Sequence, residues 1–516
     1  MWSGGIAAAL MILLVAGSYF VDEPLRRHME AALNADLQGY TVRVPSLSLH
    51  WFGLSLTLKD LTVAQSAHPK PPVAWFPQLD ASVHWRALLR ARLVADFRLW
   101  TPHLYINKAQ LQHEAADARS LKDKGWQAAL ETIYPLKIDR FTIDNGDMTY
   151  IDDDPNRPLY VSALNLVADN IRNVRSPDHA YPSDVRVDAT IFDSGKLHVD
   201  GNANFLEEPF AGVDGDVTVR DVDLSYFKPV LARMNVRISK GSLGAQGHVE
   251  YAPRTQNIHL KQLTVRGVQL DYVHSAQTAA AEQARAQRIG QAADQVSHAT
   301  TAVVHVDNLQ IANSTVGFVD ESADPPYRVF LANSDLTMRS LSNQVQDAPA
   351  SLQLKGQFMG SGTSLAKATF QVATPSPDVD VSVSIEQTEL PALNDLLRAF
   401  GNFDVVAGEF SLYSQLRIKN GDISGYLKPI FSNAKVYSVR QDASKPLLHQ
   451  LYEELVGGVK TALQNRHHEV GTKVDISGRA SNPKTSTFEV VMGLLKNAFV
   501  KAISHSFESS DAAAVN

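Results

Sequence analysis

From residue 40 onward, apolar and polar positions alternate with a period of two. Val42 and Val44 begin the pattern, followed by Leu47, Leu49 and Trp51, then Leu54, Leu56 and Leu58. It returns at Leu197, Val199, Gly201, Ala203 and Phe205, and at Val379, Val381, Val383 and Ile385. Such alternation predicts strands with one apolar and one polar face. Asn145-Gly146, Asp193-Ser-Gly195 and Asn420-Gly421 supply turn chemistry between them. Upstream the period changes: Leu25, Met29, Leu33 and Leu37 recur every four residues, predicting an amphipathic helix over 22–39. Leu447, Leu451, Leu455, Val459 and Leu463 form a second helical stripe. Leu494, Leu495, Ala498, Phe499, Ala502 and Ile503 form a third, so 441–508 reads as helices with an intervening strand.

Residues 4–21 carry no charge, and Ile6, Leu10, Leu13, Leu14 and Val15 lie at the centre of this stretch. As a helix it spans about 27 Å, close to the hydrocarbon thickness of a bilayer. A cleaved signal peptide is the alternative. The missing basic n-region argues against it, as does a poor cleavage site in which Ala16-Gly-Ser18 runs into Tyr19 and Phe20. The stretch is therefore expected to be an uncleaved transmembrane anchor. Charge does not set its orientation. Arg26 and Arg27 follow the span, which alone would lean the body toward the cytoplasm.

A longer repeat overlies the alternation. Large apolar residues recur at offsets zero, three, five, ten and twelve in four places. These are Val94, Phe97, Leu99, Leu104 and Ile106; Ile138, Phe141, Ile143, Met148 and Tyr150; Leu260, Leu263, Val265, Leu270 and Tyr272; and Val306, Leu309, Ile311, Val316 and Phe318. The second and fourth copies share more: Asp139 matches Asp307, Asn145 matches Asn313, Asp152 matches Asp320, and Pro158 matches Pro326. Each is expected to be strand, tight turn at Asn-Gly or Asn-Ser, strand, then acidic turn. A further echo pairs Phe227-Lys-Pro-Val-Leu231 with Leu427-Lys-Pro-Ile-Phe431. Internal repetition predicts an elongated body stacked unit on unit. Its predicted parts are a β-sheet repeat region over 40–274, an Ala/Gln-rich insertion over 275–300, a second β region over 301–440, the helical segment 441–508 and a disordered tail over 509–516.

Of 516 residues, 44% are apolar and 20% charged, so most of the chain is expected to fold. A net charge of -7 argues against a nucleic-acid partner. The absence of cysteine excludes disulfides, thiolate catalysis and Cys-based zinc sites. The sequence carries no G-x-S-x-G elbow, Walker A loop, Rossmann fingerprint or H-E-x-x-H motif. Asp152-Asp-Asp-Pro-Asn-Arg157 begins like a calcium loop but lacks its glycine and distal glutamate. His467-His468-Glu469 reads as a solvated helix end. No catalytic residue, metal or cofactor is expected, and the chain is not expected to be an enzyme. Roughly thirty strands at ~4.8 Å spacing would make a sheet of about 150 Å. The predicted helices are too few to cover its apolar face, and an open strip of that size aggregates. The sheet must close into a packed core or bend into a trough that holds apolar ligands.

The order of these features resembles the AsmA-like family of bacterial envelope proteins, which includes TamB-type proteins, in a shorter, uncharacterised branch. The resemblance covers nearly the full length. It is carried by the anchor with its adjoining helix, by Leu56-Thr-Leu-Lys-Asp-Leu-Thr-Val63, and by Phe97-Arg-Leu-Trp-Thr-Pro-His-Leu-Tyr-Ile106. The motifs ending in Asp152 and Asp320 also carry it, as do Val406-Ala-Gly-Glu-Phe-Ser-Leu-Tyr413 and Ile418–Phe431. It implies a mainly β fold: an elongated, curled sheet forming a trough, with an N-terminal transmembrane helix and a few amphipathic helices. It implies a single-pass inner-membrane protein of a Gram-negative bacterium, its body in the periplasm, that binds phospholipid acyl chains and supports lipid transport between inner and outer membrane. Val94, Phe97, Leu99, Ile138, Ile143, Tyr150, Val265, Ile311, Phe318, Val381, Val383 and Ile385 are the candidates to line the groove. The body is short for the family, so an inner- or outer-membrane protein partner, or an oligomer, is expected to complete the path. The alternative is a scaffold for outer-membrane assembly without lipid transport.

Overall fold

A computed structural model describes residues 21–35, 37–50, 54–83, 94–108, 110, 137–151, 158–171, 180–205, 211–252, 255–278, 302–344, 347–371, 378–401, 403–419, 421–439, 469–471 and 473–479. These residues are mainly strand, with few short helices. The chain divides into two compact units. The first is Met1–Val222 with Gln246–Ile258, and the second is Asp223–Ala245 with His259–Asn516. Among the described residues no helix is long and apolar enough to cross a membrane. The predicted anchor with Ile6, Leu10, Leu13, Leu14 and Val15 lies outside them, Val21 excepted, as do most of the predicted insertion, the C-terminal helical stripes and the tail.

The first unit opens with α1 (residues 21–35), β1 (Tyr40–Arg43), β2 (Ser46–His50), β3 (Ser55–Gln65) and β4 (Ala74–Val83). It continues through β5 (Val94–Trp100), β6 (His103–Asn107), β7 (Lys137–Ile151), β8 (Leu159–Asp169), β9 (Ser183–Ile191), β10 (Gly195–Asn204) and β11 (Gly212–Asp223). Register links the apolar positions into rows. One runs Leu47, Leu58, Leu79, Leu99, Ile143, Leu166, Val187, Val199, Val217 from β2 to β11. Paired residues share a face, so one sheet surface is apolar along the whole row. Leu25, Met29, Leu33 and Leu37 of the helical stripe pack over its first half, where Leu58 and Leu33 are fully buried. The polar side of α1 closes the open backbone beside them. Asn34 donates to Val42 O and accepts from Val42 N, both at 2.8 Å; Glu30 accepts from Val44 N at 2.9 Å; Arg26 donates to Val44 O at 2.8 Å; Asp22 accepts from Leu49 N at 3.1 Å. A helix with polar groups every four residues thus satisfies a strand edge that would otherwise recruit another chain.

The repeat has a structural meaning that the turn prediction missed. Asn145-Gly146 is not a hairpin turn: β7 runs unbroken through it, and Asn145 takes a left-handed conformation at φ 51° inside a β-bulge. Phe97 pairs with Phe141, Leu99 with Ile143, Leu104 with Met148 and Ile106 with Tyr150, in parallel. The first two copies of the repeat are therefore neighbours in space, 44 residues out of step. The gap between offsets five and ten hides a left-handed residue at offset seven in all four copies: Thr101 (φ 46°), Asn145 (51°), Gly267 (61°) and Asn313 (50°). One such residue inverts the parity of a strand, so the apolar side chains return to the same face after the bulge.

The second unit holds α2 (Lys228–Ala232), β12 (Val236–Ala252) and β13 (Thr255–His274), the latter two crossing the division between units. β14 (Ala302–Asp320), β15 (Tyr327–Ser342), β16 (Ala350–Phe358), β17 (Gly362–Phe370) and β18 (Val379–Glu389) follow. After α3 (Asn394–Gly401) come β19 (Phe403–Lys419), β20 (Asp422–Val439), β21 (Glu469–Gly471) and β22 (Val474–Arg479). Contacts between β13 and β14 advance together along both strands. The His259 and His305 rings meet, Val268 N donates to Ser314 Oγ at 3.2 Å, and Tyr272 stacks on Phe318. The third and fourth copies thus repeat the side-by-side arrangement, 46 residues out of step. Asn313 sits in the same bulge as Asn145. Each offers its backbone N–H to a neighbouring side chain, Asn165 at 3.0 Å or Asp335 at 2.9 Å. The second sequence echo does not hold. Phe227–Leu231 leads into α2 with proline in its first turn, where no N–H is needed. Leu427–Phe431 is strand: the missing N–H of Pro429 falls between the stretches of β20 that pair with β22 and β21.

Candidate functional site

The predicted groove residues fall into two environments. Phe97, Leu99 and Ile143 are buried in the core beneath α1, and Ile138 packs against that core. Val94 begins β5. Tyr150 is half-buried at the end of β7, beside Ile106 of β6. Val265 is half-buried on β13. Phe318 joins an aromatic group with Tyr272, His274 and Tyr327. Ile311, Val381, Val383 and Ile385 lie on a sheet face that stays half-buried.

That face is built by register. One row passes Ile311, Leu336, Leu354, Ala366, Val383, Ser414, Leu427 and Val474 from β14 to β22. Beside it runs Leu309, Met338, Leu352, Ala368, Val381, Leu416, Gly425 and Ile476. Ile385 belongs to a third row, between Ser364 and Leu412. Residues between these rows point the other way and are polar: Thr337, Gln353, Lys367, Ser382 and Gln415 follow one another across the same strands. The Arg417 guanidinium meets Asp380 on that side at 2.9 Å. The two faces differ as oil differs from water.

Cover is unequal along the apolar face. Toward its end Leu416, Ile418, Ile423, Leu427, Val474 and Ile476 bury one another. At one flank Leu390 and Leu393, leading into α3, bury against Val405, Phe410 and Phe431. Asn394 fixes this segment by pairing both amide atoms with the Val405 backbone, at 2.8 and 2.9 Å. Between these closed patches, Leu336, Met338, Leu352, Leu354, Val381, Val383 and Ile385 remain half-buried. Strand spacing near 4.8 Å and alternate residues ~6.7 Å apart place methyl groups at close intervals over this area. Those seven side chains have no group that can donate, accept or attack, and the hydroxyls of Ser364 and Ser414 beside them bond to the backbone carbonyls of Gly362 and Tyr426. What such a surface can do is shelter hydrocarbon.

Ionisable groups lie elsewhere. The His248 imidazole stands between Asp216 at 3.1 Å and Asp214 at 2.7 Å, and the hydrogen bond to Asp216, helped by Asp214, raises it above the usual histidine value. Hydrogen bonds from Arg26 and Arg27 hold Glu23 down at about 2. Burial, helped by Asp320, pushes the Tyr327 phenol up to about 12. The structure also brings together His259, His305 and Asp307, of which sequence reasoning named only Asp307, and that as a repeat match rather than a ligand. The available signal was the 46-residue offset between the two histidines, the same as between the last two copies of the repeat. The Asp152–Arg157 segment and His467-His468 lie outside the described residues.

No protein-family profile matches the chain, and no characterised protein matches its sequence.

Proposed function

We propose that the half-buried apolar face of β14–β18 binds the acyl chains of phospholipid, and that the protein is an inner-membrane-anchored periplasmic member of the AsmA-like family that supports lipid movement between the two membranes. The observation that carries the reading is the set of rows through Val381, Val383 and Ile385. Across β14–β18 the rows through Val381 and Val383 are in register and wholly apolar, the row of Ile385 meets them beside Ser364, and none of the three is closed into a core there or interrupted by a charge. Hydrocarbon laid on such rows gains about 25 cal/mol for each square ångström removed from water, so a chain contacting several residues gains a few kcal/mol. The polar reverse face supplies the contrast that keeps a lipid on one side. The anchor and the periplasmic placement rest on the uncharged residues 4–21 and on the sequence resemblance.

The test is photocrosslinking in the full-length protein within its native membrane. A photoreactive residue at Val383 is expected to yield a phospholipid adduct by mass spectrometry, whereas one at Lys367, on the opposite face, is not. Val381→Asp with Ile385→Asp is expected to remove the Val383 adduct and slow phospholipid delivery to the outer membrane. Equal labelling at both positions, or none at Val383, overturns the reading. Unchanged delivery in the double variant favours a scaffold role instead.

A further inference from the structure

His259 lies on β13, and His305 and Asp307 lie two residues apart on β14. The parallel course of the strands sets the two imidazoles edge to face, with centroids 5.0 Å apart. Both Nε2 atoms approach one oxygen, Asp307 Oδ1, at 2.9 Å from His259 and 3.0 Å from His305. One ligand atom from each residue lies within 4.8 Å of the other two. A carboxylate oxygen has no proton to give, so each nitrogen facing it carries either a proton or a cation.

We propose that His259, His305 and Asp307 bind a divalent transition cation of the zinc class, with Asp347 as the residue that orients His305. Two ligand atoms ~2.0–2.1 Å from a tetrahedral ion stand about 3.3 Å apart, so the two nitrogen–oxygen separations need to open by only a few tenths of an ångström, and the two nitrogens, within 4.8 Å of each other, need to settle at the same spacing. The side chains are free enough to do so: His259 is 49% exposed, Asp307 45% and His305 29%. Two imidazoles and one carboxylate select zinc-like ions over magnesium or calcium, which take oxygen ligands. Behind the ligands, Asp347 Oδ2 lies 3.3 Å from His305 Nδ1, and the Ser342 hydroxyl donates to that same carboxylate oxygen. A carboxylate on the far nitrogen fixes the tautomer that leaves Nε2 for the metal. Three protein ligands and partial exposure leave a coordination position open to water or to an anionic group. The site stands independently of lipid binding.

The experiment uses the full-length, untagged protein, stripped with chelator and titrated with zinc chloride against a competing dye. One equivalent per chain is expected in the wild type and is lost in His305→Ala and Asp307→Asn. His259→Gln is expected to abolish the ligand-field bands of the cobalt-substituted protein, and Asp347→Asn to weaken zinc binding ten- to hundred-fold. Circular dichroism of each variant separates loss of ligand from loss of fold. A wild type that binds no zinc shows the cluster to be a hydrogen-bonded group that holds no metal, and overturns the proposal. A stoichiometry unchanged in the well-folded ligand variants overturns it equally, by placing the metal on other histidines.

Discussion

In the first unit the row Leu47, Leu58, Leu79, Leu99, Ile143 lies under α1, and each of its members is buried. In the second, the row Ile311, Leu336, Leu354, Ala366, Val383 is likewise wholly apolar and in register across five strands, yet each of its members stays half-buried. The strands do not differ in kind; the difference is a single helix. Where four leucine-type side chains spaced every four residues are supplied from outside the sheet, the face becomes a core. Where they are not, the same chemistry is left as a surface.

The sharpest way to break that comparison is to put the same substitution on both rows. Leu58→Ala removes a fully buried side chain and is expected to cost about 2–5 kcal/mol. Leu354→Ala, on the half-buried face, leaves no closed cavity and is expected to cost about 1 kcal/mol. Urea unfolding measures both. All six tryptophans lie within Met1–Val222, so their emission follows the first unit, while hydrogen exchange follows the second. Aspartate widens the contrast: Leu58→Asp is expected to prevent folding of the first unit, and Leu354→Asp to leave the second folded. Equal costs at the two positions would show that something covers the β14–β18 face as α1 covers β2–β7.

A smaller effect separates the two pairs of repeat copies. After the left-handed residue, the first copy has Pro102 and the third has Val268. Pro102 has no N–H, and its ring lies against Gly146, where an added Cβ would stand 3.0 Å from Pro102 Cγ and from Ile143 Cγ2. Val268 has an N–H, and fully buried Ser314 takes the place of the glycine and accepts it. These are two solutions to one bulge: remove the donor, or supply an acceptor. Ser314→Ala strands the Val268 N–H and is expected to destabilise the second unit by about 1–3 kcal/mol. Gly146→Ser crowds proline without meeting a donor and is expected to cost a similar 1–3 kcal/mol in the first. Combined with Pro102→Val, Gly146→Ser is expected to recover part of its loss, because the hydroxyl then has an N–H to accept. Failure of that rescue in thermal melts would mean that the two bulges are not equivalent.

These elements also show what the sequence disclosed. The alternation at Val379–Ile385 and the stripe from Leu25 to Leu37 each fix which side chains share a face, because strand and helix periods leave no other choice. The repeat was legible as a spacing, but its cause was not. Asn145-Gly146 carries turn chemistry wherever it occurs, and only the parallel partner strand decides that it bulges instead of turning. Phe97, Leu99 and Ile143 alternate as groove residues would and yet lie in a core, because alternation reports a face without reporting what lies on it. The metal-ligand candidates stayed hidden for a related reason. His259 and His305 are neighbours only through a pairing between strands, and no local motif encodes it.

The smallest expected effect comes from the end of the β14–β15 pair, where Asp320 faces Tyr327 in register. A phenol raised to about 12, mainly by burial and then by the Asp320 charge, holds its proton more tightly in the folded protein than in the unfolded chain, where the value is 10.0. Its contribution is therefore complete below pH 10 and is lost as the pH climbs through about 12. The difference in urea midpoint between wild type and Tyr327→Phe, followed by hydrogen exchange in the second unit, is expected to be constant to pH 9 and to shrink above pH 10. Asp320→Asn removes the charge but not the burial, so it is expected to lower the phenol only part of the way, seen as an earlier component in the tyrosinate absorbance. A phenol in Asp320→Asn that titrates at the free value would instead make the charge the main cause, and would mean that this end of the apolar face is wet.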